Sequence, residues 1–134
     1  MLLYSPRESL EEGFRVNEEL MPNEIRHIIF TSEEVIRALI DYHRRAGSPL
    51  PAGNVVKCTF EKEENLIKAS LHMAVDADGS RQVIPIVQTT LAAALILYCI
   101  NQKIPLPAKA NKSLQLHNET VGLVINKPDE RKNR

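Results

Sequence analysis

The segment ALILYCINQKIPLPA, from Ala94 to Ala108, decides how this sequence folds. The nearly unbroken apolar run at 91–100 is too short to cross a bilayer, which takes about 20 residues. It is also too apolar for a helix that has one face in water. The run ends at Ile-Pro-Leu-Pro, where the proline rings cannot continue a helix. We therefore expect a buried helix that stops before Pro105.

This segment has a weaker copy upstream, ALIDYHRRAGSPLPA, from Ala38 to Ala52. At an offset of 56 residues the two copies share eight identities in fifteen positions. A short strand-like segment precedes each copy, IRHIIF at 25–30 and QVIPIV at 82–87. Two segments with alternating apolar and polar residues follow each copy, as in strands with one buried face. The sequence therefore predicts an internal duplication, β-α-β-β followed by β-α-β-β.

The duplication predicts an α+β fold in which two helices pack on one antiparallel sheet about a pseudo-twofold axis. We expect a single domain at 25–127, made of one repeat at 25–80 and a second at 81–127. An N-terminal arm, 1–24, precedes this domain. The tail, 128–134, has no apolar residue to bury, so it is predicted to be disordered.

Local signals define the ends of the predicted elements. Thr31 and Glu34 have the spacing of a capping box, which predicts that the first helix runs from there to about Ala46. Pro85 has no amide hydrogen to donate, so its strand is expected at a sheet edge or a strand end. Each Pro-Leu-Pro motif is expected to direct its leucine, Leu50 or Leu106, into the core beneath the last helical turn.

The second helix replaces the charged face of the first with apolar residues. At the 56-residue offset, Arg37, Asp41 and Arg44 become Ala93, Leu97 and Ile100. A sheet covers only one side of a helix, so a helix that is apolar all round needs a second cover. Either the arm folds back over it, or a second copy of the chain packs against it across a twofold axis. We expect a homodimer with this apolar face in the interface and with the arm contributing.

The sequence contains no recognisable catalytic or metal-binding motif. Its four histidines show no HxH, HxxxH or HExxH spacing, and no P-loop, GxGxxG or GxSxG is present. We therefore expect no metal, no cofactor and no enzymatic activity. Cys58 and Cys99 form no CxxC motif and fall at apolar positions, which predicts buried thiols of raised pKa and low reactivity.

One alternative ligand or anion site can be drawn around the end of the first helix. A partly buried, hydrogen-bonded histidine at position 43 and a solvated histidine at position 72 are the competing interpretations. The residues of this alternative site are Tyr42, His43, Arg44, Arg45 and His72.

Charge is balanced overall but uneven along the chain. Lys and Arg number 17, as do Asp and Glu. Residues 1–34 hold eight acidic and three basic side chains, whereas residues 101–134 hold seven basic and three acidic ones. The basic C-terminal third makes nucleic-acid binding the alternative function. We expect no nucleic-acid binding, because no aromatic residues alternate with the lysines and arginines, as they do in surfaces that stack nucleobases.

The sequence thus favours a non-catalytic, homo-oligomeric protein-interaction module, such as an adaptor, a regulator or a chaperone-like protein. A small ligand binder or enzyme with its site at the repeat junction is a further possibility that the sequence leaves open. The N-terminus lacks the pattern of a secretion signal, and no apolar stretch reaches membrane-spanning length. We therefore expect a cytoplasmic protein without a membrane partner.

Overall fold

The structure of the chain is a computed structural model that describes residues 24–127. The predicted tail and all of the predicted arm except Glu24 lie outside these residues. The elements follow the order β1 (Glu24–Ile29), α1 (Ser32–Arg45), β2 (Gly53–Glu63), β3 (Leu66–Val75), β4 (Arg81–Ile86), α2 (Gln88–Asn101), β5 (Asn111–His117) and β6 (Thr120–Lys127). This is the predicted β-α-β-β order, twice.

The strands form two three-stranded antiparallel sheets, β1-β6-β5 and β2-β3-β4. The α+β class is therefore confirmed, but the strands divide between two sheets where one was expected. Within these sheets, β1 pairs with β6, and β4 pairs with β3. Each half of the chain thus places its first strand on the hairpin of the other half. The remaining edges, β2 and β5, lie close together without forming a ladder.

The two helices agree with the sequence offset. Both α1 and α2 have 14 residues, and they begin at Ser32 and Gln88, 56 positions apart. This agreement is what a duplication would produce, and the duplication itself stays a prediction.

The helices begin in different ways. The Glu34 backbone N–H donates to Thr31 Oγ1 at 3.1 Å, and the Thr31 N–H donates to Glu34 Oε1 at 2.8 Å. These two bonds confirm the predicted capping box, and Ala46 is the C-cap. At α2 the N-cap is Val87, which has no side-chain acceptor. The formation of α2 therefore depends on burial of its apolar side chains rather than on local capping.

The core lies between the helices and the inner faces of the two sheets. Its fully buried leucines come from both helices and from both sheets: Leu39, Leu71, Leu91, Leu95 and Leu123. The leucines of the two Pro-Leu-Pro motifs are half buried and pack against this core. The strand that contains Pro85 is at a sheet edge, as predicted. Neither helix within residues 24–127 is long and apolar enough to span a membrane.

Candidate interaction surface

The outward side of α2 is the surface that the sequence analysis singled out. The inward side of this helix, including Leu91 and Leu95, is fully buried. Ala93 and Leu97 are half buried within the chain, and Ile100 has 60% of its surface exposed. No residue of α2 carries a charge, whereas α1 has both acidic and basic side chains. The outward side of α2 is therefore an uncharged, partly apolar surface, unlike the charged outward side of α1.

Helix α1 covers part of α2, a contact that the two alternatives from the sequence did not include. The helices pack against each other, and Asn101 Nδ2 donates to Asp41 Oδ2 at 3.3 Å. Arg45 also pairs with Asp41, at 3.0 Å. Because the neighbouring helix and the strands already contact α2, the clearest uncovered apolar group on this side is Ile100.

The exposure of Ile100 has a modest energetic weight. Complete burial of such a side chain is worth about 1.5–3 kcal/mol. Because 60% of its surface is exposed, burying the rest of Ile100 in an interface would contribute on the order of 1 kcal/mol of free energy per chain. This amount can contribute to an interface but cannot hold one together.

Four residues of the alternative ligand site are consecutive at the end of α1, and the structure places the fifth, His72, on a different element. His43 Nδ1 lies 2.8 Å from the Leu39 carbonyl oxygen, and the His43 ring packs edge-on against Tyr42. Both arginines pair with the same carboxylate, that of Asp41. His72 is in a different place, on β3, where it shares a 3.2 Å hydrogen bond with Thr59 Oγ1.

Arg44 also lines a cavity of about 430 Å³ between the end of α1 and strands β2 and β3. The rest of the lining is mainly apolar and includes Ile40, Leu50 and Met73. Arg44 is its one charged group, and none of the lining side chains is a nucleophile or a general base. The cavity therefore offers a place for a small molecule to bind but no means of catalysis.

The outer faces of the two sheets differ in charge. On β2-β3-β4 this face carries charged side chains, and Glu61 stands opposite Lys68. Lys68 also pairs with Glu63 at 2.7 Å, which lowers the pKa of that carboxyl group. The corresponding face of β1-β6-β5, which we call the uncharged outer face, has no lysine, arginine, aspartate or glutamate. Its side chains come from alternate positions of the three strands: Ile25, His27, Ile29, Asn111, Ser113, Gln115, His117, Thr120, Val124 and Asn126.

Two histidines meet on the uncharged outer face. The rings of His27 and His117 lie with their centroids 6.1 Å apart in an edge-to-face arrangement. His117 Nε2 is buried and has no hydrogen-bond partner among residues 24–127. An unsatisfied buried polar group costs about 1–3 kcal/mol. Sequence reasoning missed this pair because the two residues are 90 positions apart and meet only through the strand register.

Both thiols are buried, as predicted. Burial raises the pKa of Cys58 to about 11, and it also raises the pKa of Cys99. The structure has both cysteines free. Their surroundings are those of core residues, not of reactive nucleophiles.

Two lysines of the basic C-terminal third have local partners in the part of the chain that the structure describes. Lys112 Nζ donates to the carbonyl oxygens of Pro107 and Ala110 within its own turn. Lys127 is paired across the ladder with Glu24. The arrangement gives no specific support to nucleic-acid binding.

Within residues 24–127, no group of three or more His, Cys, Asp or Glu side chains is placed to hold a metal ion. Comparison of the chain with protein families, with curated proteins and with solved structures finds no match.

Proposed function

We propose that this chain is a non-catalytic protein-interaction module that acts as a homodimer, with the outward side of α2 in the interface. The observation that carries the proposal is the charge-free α2, which exposes Ile100 where the first repeat has Arg44. In a homodimer this surface packs against its own copy across a twofold axis, so each subunit contributes the same apolar groups to the interface. Adaptors, regulators and chaperone-like proteins are the classes that fit such a module.

The interface must extend beyond this one side chain. Association costs an estimated 4–15 kcal/mol in lost freedom and ordering, well above the contribution of two Ile100 side chains. The half-buried Leu97 would supply part of the further area, and we propose that the apolar residues within 1–24 supply more. The acidic segment 1–34 and the basic segment 101–134 would also attract each other between subunits, weakly at physiological salt.

The first prediction tests this interface with Ile100→Asp. Sedimentation velocity at high micromolar concentration should give about twice 15.1 kDa for the wild type and one chain for the variant. The aspartate places an uncompensated charge in a desolvated contact, which strongly disfavours the dimer. Because Ile100 is 60% exposed in the single chain, the variant should still fold, which circular dichroism would verify.

A matched control is Val56→Asp, which introduces the same charge at a position 51% exposed on β2. It should leave the dimer intact. A wild-type chain that sediments as a monomer, or an Ile100→Asp variant that sediments like the wild type, would contradict the proposal. Dissociation by Ile29→Asp but not by Ile100→Asp would move the interface to the uncharged outer face and would equally contradict it.

A further inference from the structure

We infer that His27 and His117 form a two-histidine site for a divalent transition-metal ion on the uncharged outer face. The inference is independent of the proposed dimer, since it rests on a different surface and on the contact between the two imidazole rings. The ion would take one nitrogen from each ring and water in its remaining positions.

The two rings meet diagonally across β6, where His27 is opposite Val124 and His117 is opposite Thr120. His27 is on β1 and His117 is on β5, and both strands flank β6. Strands separated by one neighbour are about 9–10 Å apart, so a side chain on the middle strand would ordinarily stand between the two rings. Gly122 provides the gap on β6. A Cβ atom there would lie 3.1 Å from His117 Cδ2 and 2.7 Å from the Ile28 carbonyl oxygen.

The same contact orients the ring of His117. Its Cδ2 atom, which is bonded to Nε2, lies over Gly122, so this edge of the ring is on the β6 side, toward β1 and His27. Nε2 is the buried nitrogen with no partner among residues 24–127. A buried polar atom without a partner calls for an explanation, and a bound ion is one that fits two adjacent imidazole rings. Neutral imidazole nitrogen is also a ligand that suits Zn²⁺, Cu²⁺ and Ni²⁺.

Distance and charge are compatible with a shared ion. Metal–nitrogen bonds of about 2.0–2.1 Å hold two imidazole centroids roughly 5 Å apart. The observed 6.1 Å therefore needs a closure of about 1 Å, which His27 can supply because it is exposed. No lysine or arginine on this face opposes a divalent cation. The competing explanation is an N–H group of His117 that points at the His27 ring, a contact that needs no ion.

The test is calorimetric titration of the untagged full chain with Zn²⁺, and separately with Ni²⁺, above the ordinary histidine pKa of about 6.5. We expect saturable binding by the wild type, and loss of that binding in His27→Gln and in His117→Gln. His72→Gln is the matched control, because His72 is on the other sheet and is hydrogen-bonded to Thr59. It should bind like the wild type.

Thermal unfolding provides a second readout that does not depend on His117→Gln being folded. Saturating Zn²⁺ should raise the Tm of the wild type and of His72→Gln but not that of His27→Gln, since ligands that bind only the native state stabilise it. Absence of binding by the wild type, or an equal response in His27→Gln, would overturn the inference and leave the ring contact as the explanation. An equal loss of binding in His72→Gln would overturn it as well.

Discussion

At the scale of single residues, burial determines the pKa of the two thiols. Cys58 is on the inner face of β2 and Cys99 is in α2, and burial raises the pKa of each. Each cysteine therefore stays protonated in the folded chain at pH values where it would begin to ionise in the unfolded chain. This difference links the stability of the fold to pH in the alkaline range.

The second prediction follows from the sign of that shift. The Cys58 pKa rises from 9.0 to about 11 on folding, so its stabilising contribution is complete below pH 9 and is lost as pH rises toward 11. Between about pH 8 and pH 10 the wild type should lose about 1 kcal/mol more unfolding free energy than Cys58→Ala. Urea denaturation at several pH values measures this difference. Parallel pH profiles for the two proteins would show that Cys58 is not shielded from solvent.

Sequence reasoning succeeded at this scale wherever the signal was local. The capping box requires only that Thr31 and Glu34 be three positions apart, and alternation along one strand was enough to predict that Cys58 is buried. The pairing of His27 with His117 depends instead on which strands are neighbours and on a glycine between them. That information is absent from any short window of the sequence.

At the scale of elements, the two helices have the same length and different beginnings. Thr31 caps α1, while its equivalent at the 56-residue offset, Val87, caps α2 without a side-chain acceptor. The backbone at both positions is extended, with φ of −78° at Thr31 and −76° at Val87. The geometry for a cap is thus already present at α2, and only the hydroxyl group is missing.

The third prediction is that Val87→Thr stabilises the fold. The threonine hydroxyl can accept a hydrogen bond from an otherwise unpaired N–H in the first turn of α2, for a gain of about 0.5–1 kcal/mol. The change keeps the branched shape of the side chain at a position that is already exposed. Thr31→Val is the reciprocal control and should lose a similar amount or more, since it also breaks the capping box. Chemical denaturation measures both, and a destabilised Val87→Thr would contradict the prediction.

The Pro-Leu-Pro motifs give the fourth prediction. Leu106 packs against the core but is only half buried, so Leu106→Asp should destabilise by about 1–3 kcal/mol, less than a carboxylate at a fully buried site. Leu106→Ala is the control for lost packing alone and should cost less. Pro105→Ala should cost least, because Pro105 is exposed. A wild-type denaturation midpoint for Leu106→Asp would mean that Leu106 makes no stabilising contact with the core.

At the scale of the whole molecule, the sequence predicted the order and class of the elements but not the pairing of the strands. Periodicity shows which face of a strand is buried, and this information was enough to place two strands after each helix. It does not show which edge a strand joins. Periodicity therefore predicted neither the exchange of β1 and β4 between the two halves nor the missing ladder between β2 and β5, which leaves two sheets instead of the expected one. The sequence also did not predict that α1 packs against α2, because a contact between two helices depends on the tertiary arrangement.

The pairing of β1 with β6 also determines when the β1-β6-β5 sheet can form during translation. Glu24 is opposite Lys127, so β1, the first of the described strands to leave the ribosome, joins β6, the last of them. At about 5–20 residues per second, β1 would wait on the order of 5–20 s for its partner. During that interval its Ile-rich backbone edge stays unpaired and open to other nascent chains or to a chaperone. The β1-β6-β5 sheet can therefore close only after translation of β6 is complete.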